Sequence, residues 1–430
     1  MAVKSLKCLT CGGDLLFNPT LQTWKCEWCD SEFTEKDLGP GAAESAEADD
    51  AVESYEHADN PDVKVYKCSY CGAEVVTDNV TAATFCVYCQ RPIVVGSQFS
   101  GSFKPDFVVP FKNTKDQALN SFKGYLKGKR FLPNEYKNDQ NIEKLAGVYI
   151  PFWLYEGDVS FNVSGEADIV TNKRQGDYQI KRTDIYNFAR EGNIRIDNIP
   201  VDASTRTPSD LMDSIEPFDF ATLTSFSTNY LSGFLAEKYD EDEAKLYERA
   251  KTRFEGSAEN KIKESLKKYS TVRRKVDKKR IDNVKSRYGL LPVWMFNSKF
   301  KEKQYNYAMN GQTGKMTGNL PVDGAKVFMF FLTVFLIAGL IVGAASVLFF
   351  EEGEFEIGTC VVIGLVGGLV ISGIATGVTV AGHKPVAKAT HADYYVKDEN
   401  VNMSLVQDVY LRFTETRTKV ASSTSAPKKK

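Results

Sequence analysis

An α+β fold class follows from three features of this 430-residue chain. Four Cys-x-x-Cys pairs stand before residue 90. Two strand-like segments repeat a proline-plus-aromatic pattern, and two long uncharged apolar runs follow residue 326. In turn these predict two four-cysteine zinc ribbons, a duplicated α+β cytoplasmic body and a two-helix transmembrane hairpin. The length is that of two to four domains. Hydrophobic residues are 43%, charged residues 26% and the formal net charge is −2. Such averages exclude a uniformly basic nucleic-acid coat protein, a disordered chain and a collagen-like one. The mean hydropathy of −0.30, read alone, argues against a polytopic transporter.

Eight of the nine cysteines form two equal sets. Cys8, Cys11, Cys26 and Cys29 make the first, and Cys68, Cys71, Cys86 and Cys89 the second, sixty residues later with the same fourteen-residue interval. That is an internal repeat. Zn²⁺ takes four thiolates in a tetrahedron, and two Cys-x-x-Cys turns on facing hairpins supply them. Gly12 and Gly72 follow the first turn of each set, where positive φ is often required. A redox pair would need one motif beside a βαβ unit, and no signal peptide precedes Cys8 to suggest a disulfide framework. The expectation is two structural Zn²⁺ sites, ribbon 1 over residues 1–34 and ribbon 2 over 63–97. Neither ribbon clusters Lys, Arg and aromatics as a phosphate-tracking surface does. Trp24, Lys25 and Trp28 come nearest.

Residues 35–62 carry ten acidic groups against one lysine, Lys36, and read as a self-repelling linker. The body is placed at 103–320. Pro151-Phe152-Trp153 follows Val148-Tyr149-Ile150, and Pro292-Val293-Trp294 follows Leu290-Leu291. An alternating strand trails each, and a Pro-Phe pair with a helical stretch precedes each. The first helix opens with a capping box, Thr114-x-x-Gln117. Duplicated units at about 103–170 and 215–320 are the expectation.

A basic helix is predicted at 236–288. From Lys251 to Arg287 there are fourteen Lys and Arg against five acids, densest at Arg273, Arg274, Lys275, Lys278, Lys279 and Arg280. A solvated face, anionic lipid and nucleic acid are three readings of that charge.

Val327–Phe350 is uncharged with sixteen Leu, Ile, Phe or Val, and Ile357–Gly382 is uncharged with seven glycines. Either is long enough to span a bilayer. The connector is acidic, while Lys326, Lys384 and Lys388 flank the spans, so both termini and the 383–430 tail are placed in the cytoplasm of a multi-pass cell-membrane protein. Gly339-x-x-x-Gly343, Gly364-x-x-x-Gly368 and Gly373-x-x-x-Gly377 suit close helix packing, between the spans or in a homo-oligomer. Val409–Phe413 reads as a strand added to the body.

Gly311-Gln312-Thr313-Gly314-Lys315 lacks the leading glycine and following Ser/Thr of a phosphate-binding loop and reads as a hairpin turn. Three histidines and no Walker motifs make an enzyme an unfavoured reading.

Cys68-Ser-Tyr-Cys71-Gly-Ala-Glu-Val-Val-Thr with Ala82-Ala83-Thr84-Phe85-Cys86-x-Tyr-Cys89 resembles the transcription-factor-IIB-type zinc ribbons of bacterial membrane proteins. Residues 146–155 (AGVYIPFWLY), Leu291-Pro292-Val293-Trp294 and residues 307–315 (YAMNGQTGK) are similar to the body that follows in that family. Such proteins are often labelled primosomal protein N′ or a replication-restart helicase; the missing ATPase motifs imply that the label rests on the ribbon. Relatives of the YdjG type imply a membrane anchor that recruits phage-shock-protein-A-like and flotillin-like (SPFH) partners in envelope stress. The functional expectation is therefore a membrane-anchored zinc-ribbon scaffold. Its alternative is a membrane-tethered nucleic-acid-binding factor.

Overall fold

Short alternating stretches near the N-terminus fold as narrow hairpins. The computed structural model describes residues 3–4, 6–39, 55–56, 63–67, 74–78, 80–85, 92–95, 104–137, 145–347 and 357–419. After β1 (Val3–Lys4), strands β2 (Leu15–Asn18), β3 (Thr23–Cys26) and β4 (Glu32–Phe33) form an antiparallel three-stranded sheet. Its period-two pattern buries Leu15, Phe17, Trp24 and Cys26. Helix α1 (Glu35–Leu38) starts from a Thr34–Asp37 capping box. Strands β5 (Tyr55–Glu56), β6 (Val63–Lys67) and β7 (Glu74–Asp78) make a second small sheet, and β8 (Thr81–Phe85) and β9 (Pro92–Val95) pair with each other.

The chain then forms β10 (Phe107–Val108), α2 (Lys115–Leu126), α3 (Asn134–Lys137) and two very long strands, β11 (Leu145–Gln175) and β12 (Tyr178–Asp202). The capping box that starts α2 is present, with Gln117 N donating to Thr114 Oγ1 and Thr114 N to Gln117 Oε1. Helix α4 (Ser209–Ser214) and strands β13 (Thr224–Ser225) and β14 (Leu235–Glu237) lead into α5 (Glu243–Ser265) and then β15 (Thr271–Phe300). Strands β16 (Lys303–Asn310) and β17 (Met316–Gly318) continue from β15. Lys301 and Glu302 both take positive φ in the two-residue β15–β16 turn, as the twist of a tight hairpin requires. Helices α6 (Gly324–Val347) and α7 (Ile357–Ala381) precede β18 (Val401–Lys419).

This order corrects the sequence reading in one respect. The predicted basic helix 236–288 holds only α5; Arg273, Arg274, Lys275, Lys278, Lys279 and Arg280 lie on strand β15. Val272 and Val276 are spaced like a helix face. In the strand, the aliphatic stem of Arg274 takes the half-buried position between them.

The chain divides into two compact units. The first is Met1–Phe152, Asp202–Glu241 and Tyr288–Lys388; the second is Trp153–Val201, Asp242–Arg287 and Ala389–Lys430. In the first, Phe111 stacks on Phe234 at 4.2 Å, with Tyr149 and Trp294 edge-on around it. Strand β14 runs parallel to β11 (Val148↔Leu235, Tyr149↔Ala236), and β10 parallel to β15 (Phe107↔Gly289, Val108↔Leu290). Each strand–helix–strand run therefore lends its first strand to the other run's long strand. Gly289 is required at its register: a Cβ there would fall 1.9 Å from the Phe107 ring.

In the second unit, α5 buries Leu246, Ala250, Phe254, Ala258 and Ile262. Strand β18 pairs with β12 from Tyr178↔Lys419 to Ile194↔Val401, a longer strand than the Val409–Phe413 seen in the sequence. Arg190 on β12 is 1% exposed and bonds Asp408 at 2.8 Å and the carbonyls of Ala189 and Gln407.

Helices α6 and α7 are long and apolar enough to cross a membrane, with mean hydropathies of 2.7 and 2.3. None of the first window and 22% of the second is buried, unlike the core helix of a soluble protein. They meet through glycine: a Cβ on Gly364 would lie 2.7 Å from the Gly339 carbonyl, and one on Gly368 2.8 Å from that of Phe335. Gly373 and Gly377 meet nothing within 4 Å among the described residues.

Candidate metal centre

The first cysteine set closes into two superposable turns. Cys8 N donates to Gly13 O at 2.7 Å, and Cys26 N to Ser31 O at 2.9 Å. Gly12 N donates to Cys8 O, and Asp30 N to Cys26 O. Gly12 (φ 74°) and Asp30 (φ 56°) occupy the same left-handed position, which glycine adopts freely and aspartate tolerates. Gly13 is tight for another reason: a Cβ there would sit 2.7 Å from Trp28 Cδ1 and 3.2 Å from Cys26 Sγ.

Cys8 and Cys29 Sγ are 3.6 Å apart, Cys11 and Cys26 Sγ 3.5 Å, and all four sulfurs lie within 4.8 Å of one another. A tetrahedral Zn–thiolate site with bonds of about 2.3 Å calls for sulfurs about 3.8 Å apart. The four residues fit zinc in number, type and spacing. Their thiols already differ in acidity. The Ser31 hydroxyl and backbone N–H draw Cys29 down to about 6. Gly13 N–H favours the Cys11 thiolate, but the Cys29 and Cys26 sulfurs outweigh it and push Cys11 up to about 12. A bound dication favours all four thiolates together.

The ribbon is docked through the Phe17–Trp24 part of its sheet. Trp24 is 0% exposed, and its Nε1 donates to Asn229 O at 2.8 Å. Phe17, Trp24 and Tyr230 form a triangle with centroids 5.1–5.3 Å apart. Phe17 N donates to Ser232 O, the Ser232 hydroxyl to Leu15 O, Gln22 Nε2 to Phe111 O and Tyr230 OH to Glu35. Trp24 is thus unavailable for base stacking, and Lys25 is paired with Asp30 at 3.0 Å. Trp28, at 68% exposed, and Leu9, at 67%, stay open at the tips of the two turns beside exposed Cys11 and Cys29. The sequence reading missed the docking partners Asn229, Tyr230 and Ser232, which sit about two hundred positions from the ribbon in an irregular segment with no periodic signal. Cys68, Cys71, Cys86 and Cys89 lie outside the described residues.

The basic stretch of β15 is closely paired with acids. Arg274 meets Glu259 of α5 at 2.7 Å and Asp277 at 2.7 Å; Lys279 reaches the same two carboxylates. Arg273 pairs with Asp168, Lys275 with Glu166 and Arg280 with Asp282. The Arg274 hydrogen bonds hold the Glu259 carboxyl below its ordinary range despite partial burial, and Lys275 does the same for Glu166. Lys278 is exposed.

The 310–315 turn has its backbone donors occupied from within. Gln312 N and Thr313 N both donate to Asn310 Oδ1, and Gly314 N to Asn310 O. No phosphate cradle remains there.

A docked pair of cysteine turns, a mixed α+β body and an exposed apolar helix pair define an α+β protein with a candidate metal-binding knuckle and candidate membrane helices. The chain is 32% identical over 238 residues, 55% of its length and 70% of the relative's, to YdjG of Bacillus subtilis strain 168, a protein described as uncharacterized. It belongs to the YdjG family. No family model matches the chain, and no solved structure matches it.

Proposed function

We propose that the protein is a membrane-anchored, cytoplasm-facing scaffold whose zinc ribbons, of the transcription-factor-IIB type, present a surface to protein partners. The observation that carries this reading is the polarity of the first ribbon. One face is fixed by Trp24 and its carbonyl partner, while the metal end exposes Leu9 and Trp28. An outward-facing apolar pair is a recognition feature, since tryptophan is enriched among the residues that anchor interfaces. Helices α6 and α7 serve as a transmembrane hairpin with both termini in the cytoplasm, where thiolates stay reduced. The second cysteine set has the same sequence spacing and is read as a like site, so metal analysis should find about two zinc per chain.

The body is read as a duplication. The equivalence of β10 and β14, each parallel to the other half's long strand at the residues two and three before Pro292 and Pro151, supports it. Phage-shock-protein-A-like or flotillin-like proteins are the partners that the resemblance suggests, in envelope-stress assemblies. The protein is read as lacking chemistry of its own.

Crosslinking and recovery of the full chain from membranes tests the scaffold reading. Partners captured by the wild type should be lost with Trp28→Ala, which leaves the ligands in place. Unchanged capture overturns the role given to the metal end. DNA and RNA binding at low salt that falls steeply with added salt would favour the nucleic-acid reading instead. A cysteine reporter at Glu354 labelled from the cytoplasm overturns the topology.

A further inference from the structure

The residues 127–134, between α2 and α3, hold the feet of both apolar helices. The Phe131 ring lies between Phe330 of α6 at 5.4 Å and His383, just after α7, at 5.5 Å and nearly parallel. Asp323 N donates to Phe131 O, Lys326 Nζ to Leu132 O and Asn134 Oδ1, and Leu320 N to His383 O. Lys129 Nζ donates to Gly382 O at 2.9 Å, meeting a carbonyl at the end of α7 where a cation is favoured.

This clasp gathers cations. Lys129 and Lys326 are occupied with carbonyls, but Lys127, Arg130 and Lys384 are exposed and make no ion pair among the described residues. The Arg130 guanidinium rests 5.8 Å from the centre of the Phe330 ring, in the second turn of α6. The carboxylates at hand are committed elsewhere: Asp323 accepts from Ala325 N at the start of α6, and Glu135 faces Lys301 at 3.9 Å. The contrast with β15 is direct, for there most of the cations have an acid of their own.

We propose that this clasp is an anionic-phospholipid site, in which Lys127, Arg130 and Lys384 contact headgroup phosphates of the leaflet at the feet of the hairpin. The inference rests on the membrane-spanning reading of α6 and α7. Charge complementarity selects the occupant: a surface of net positive charge at the end of an apolar span meets the phosphate plane, and a zwitterionic headgroup offsets its phosphate with its own cation. Lys129 and Lys326 position the clasp and touch no lipid.

The test uses the full chain reconstituted in phosphatidylcholine bilayers containing spin-labelled phosphatidylglycerol or spin-labelled phosphatidylcholine. The wild type should favour phosphatidylglycerol by about three- to tenfold at low salt, with the preference shrinking as salt is raised. The triple variant Lys127→Gln, Arg130→Gln, Lys384→Gln should bring the ratio close to unity. The variant Lys278→Gln with Arg280→Gln on β15 should keep it. Equal association of both lipids with the wild type, or an undiminished preference in the triple variant, overturns the proposal. So does loss of the preference in the β15 variant alone. Alkaline extraction separates the two levels. A chain that alkali releases from the bilayer sinks the membrane reading and the clasp with it, whereas a resistant chain without lipid preference sinks the clasp only.

Discussion

The cysteine turns and the basic stretch of β15 are the two densest chemical clusters in the sequence, and the fold treats them in opposite ways. The turns bring four sulfurs together with no cationic side chain between them among the described residues, an arrangement that a metal dication from outside would complete. On β15, Arg274 and Lys279 converge on Glu259, and Arg273 and Lys275 each meet a carboxylate of β11. Clustered charge is a sign of a ligand only where folding leaves it incomplete. By that criterion the metal centre and the helix feet stand apart from the basic strand, although the strand has more charges.

The largest effect should come from Cys26→Ser. It removes a ligand from a type of site whose binding contributes roughly 10–16 kcal/mol in isolated modules, so zinc content should fall by about one per chain and residues 6–39 should become protease-sensitive. A variant that keeps its full metal content breaks the comparison at its stronger end. Next, Trp24→Ala should cost about 3–5 kcal/mol by cavity formation and loss of its contacts, while Trp28→Ala should stay within about 0.5 kcal/mol. Thermal denaturation of the two side by side checks which tryptophan holds the ribbon and which is presented.

A smaller change is expected from Glu259→Gln, about 1–3 kcal/mol, because Arg274 and Lys279 lose a charged acceptor. This pair has a pH signature. The Glu259 carboxyl is held low in the folded protein, so its contribution is complete above the ordinary glutamate range and declines as pH falls through the lowered value. Acid unfolding of the Gln variant should show a weaker dependence in that window, and an identical acid limb would remove Glu259 from the account. Lys278→Gln should change stability least, within about 0.5 kcal/mol.

Legibility from sequence followed the range of the interactions. Cys8, Cys11, Cys26 and Cys29 were readable because each turn is local and its chemistry is nearly unique to those residues. The two apolar helices were readable because composition alone distinguishes them. Strand β15 was misread because Arg274 takes an inward position and finds Glu259, so the alternation is written partly in charged residues. Strand β12 went unnoticed because its inward set, Ile194 and Ile196, slips by one position at Asn198 (φ 58°) before Ile199 and Val201. A strict period-two search loses count at such a slip. The seat for Trp24 was invisible, since a backbone carbonyl such as that of Asn229 has no sequence signature.

The β12–β18 pairing also has a bearing on the order in which the molecule is made. Strand β12 leaves the ribosome about two hundred residues ahead of β18, at the pace of synthesis of roughly 5–20 residues per second. Between them come both apolar helices. For that interval of about ten seconds or more, β12 carries an open row of backbone donors and acceptors beside Ile185 and Phe188. Such an edge invites the wrong neighbour. It is closed only after the helical pair has been delivered, so completion of the second unit reports that delivery. A chain stalled before Val401 should present this edge to chaperones, and one that reaches Lys419 should not.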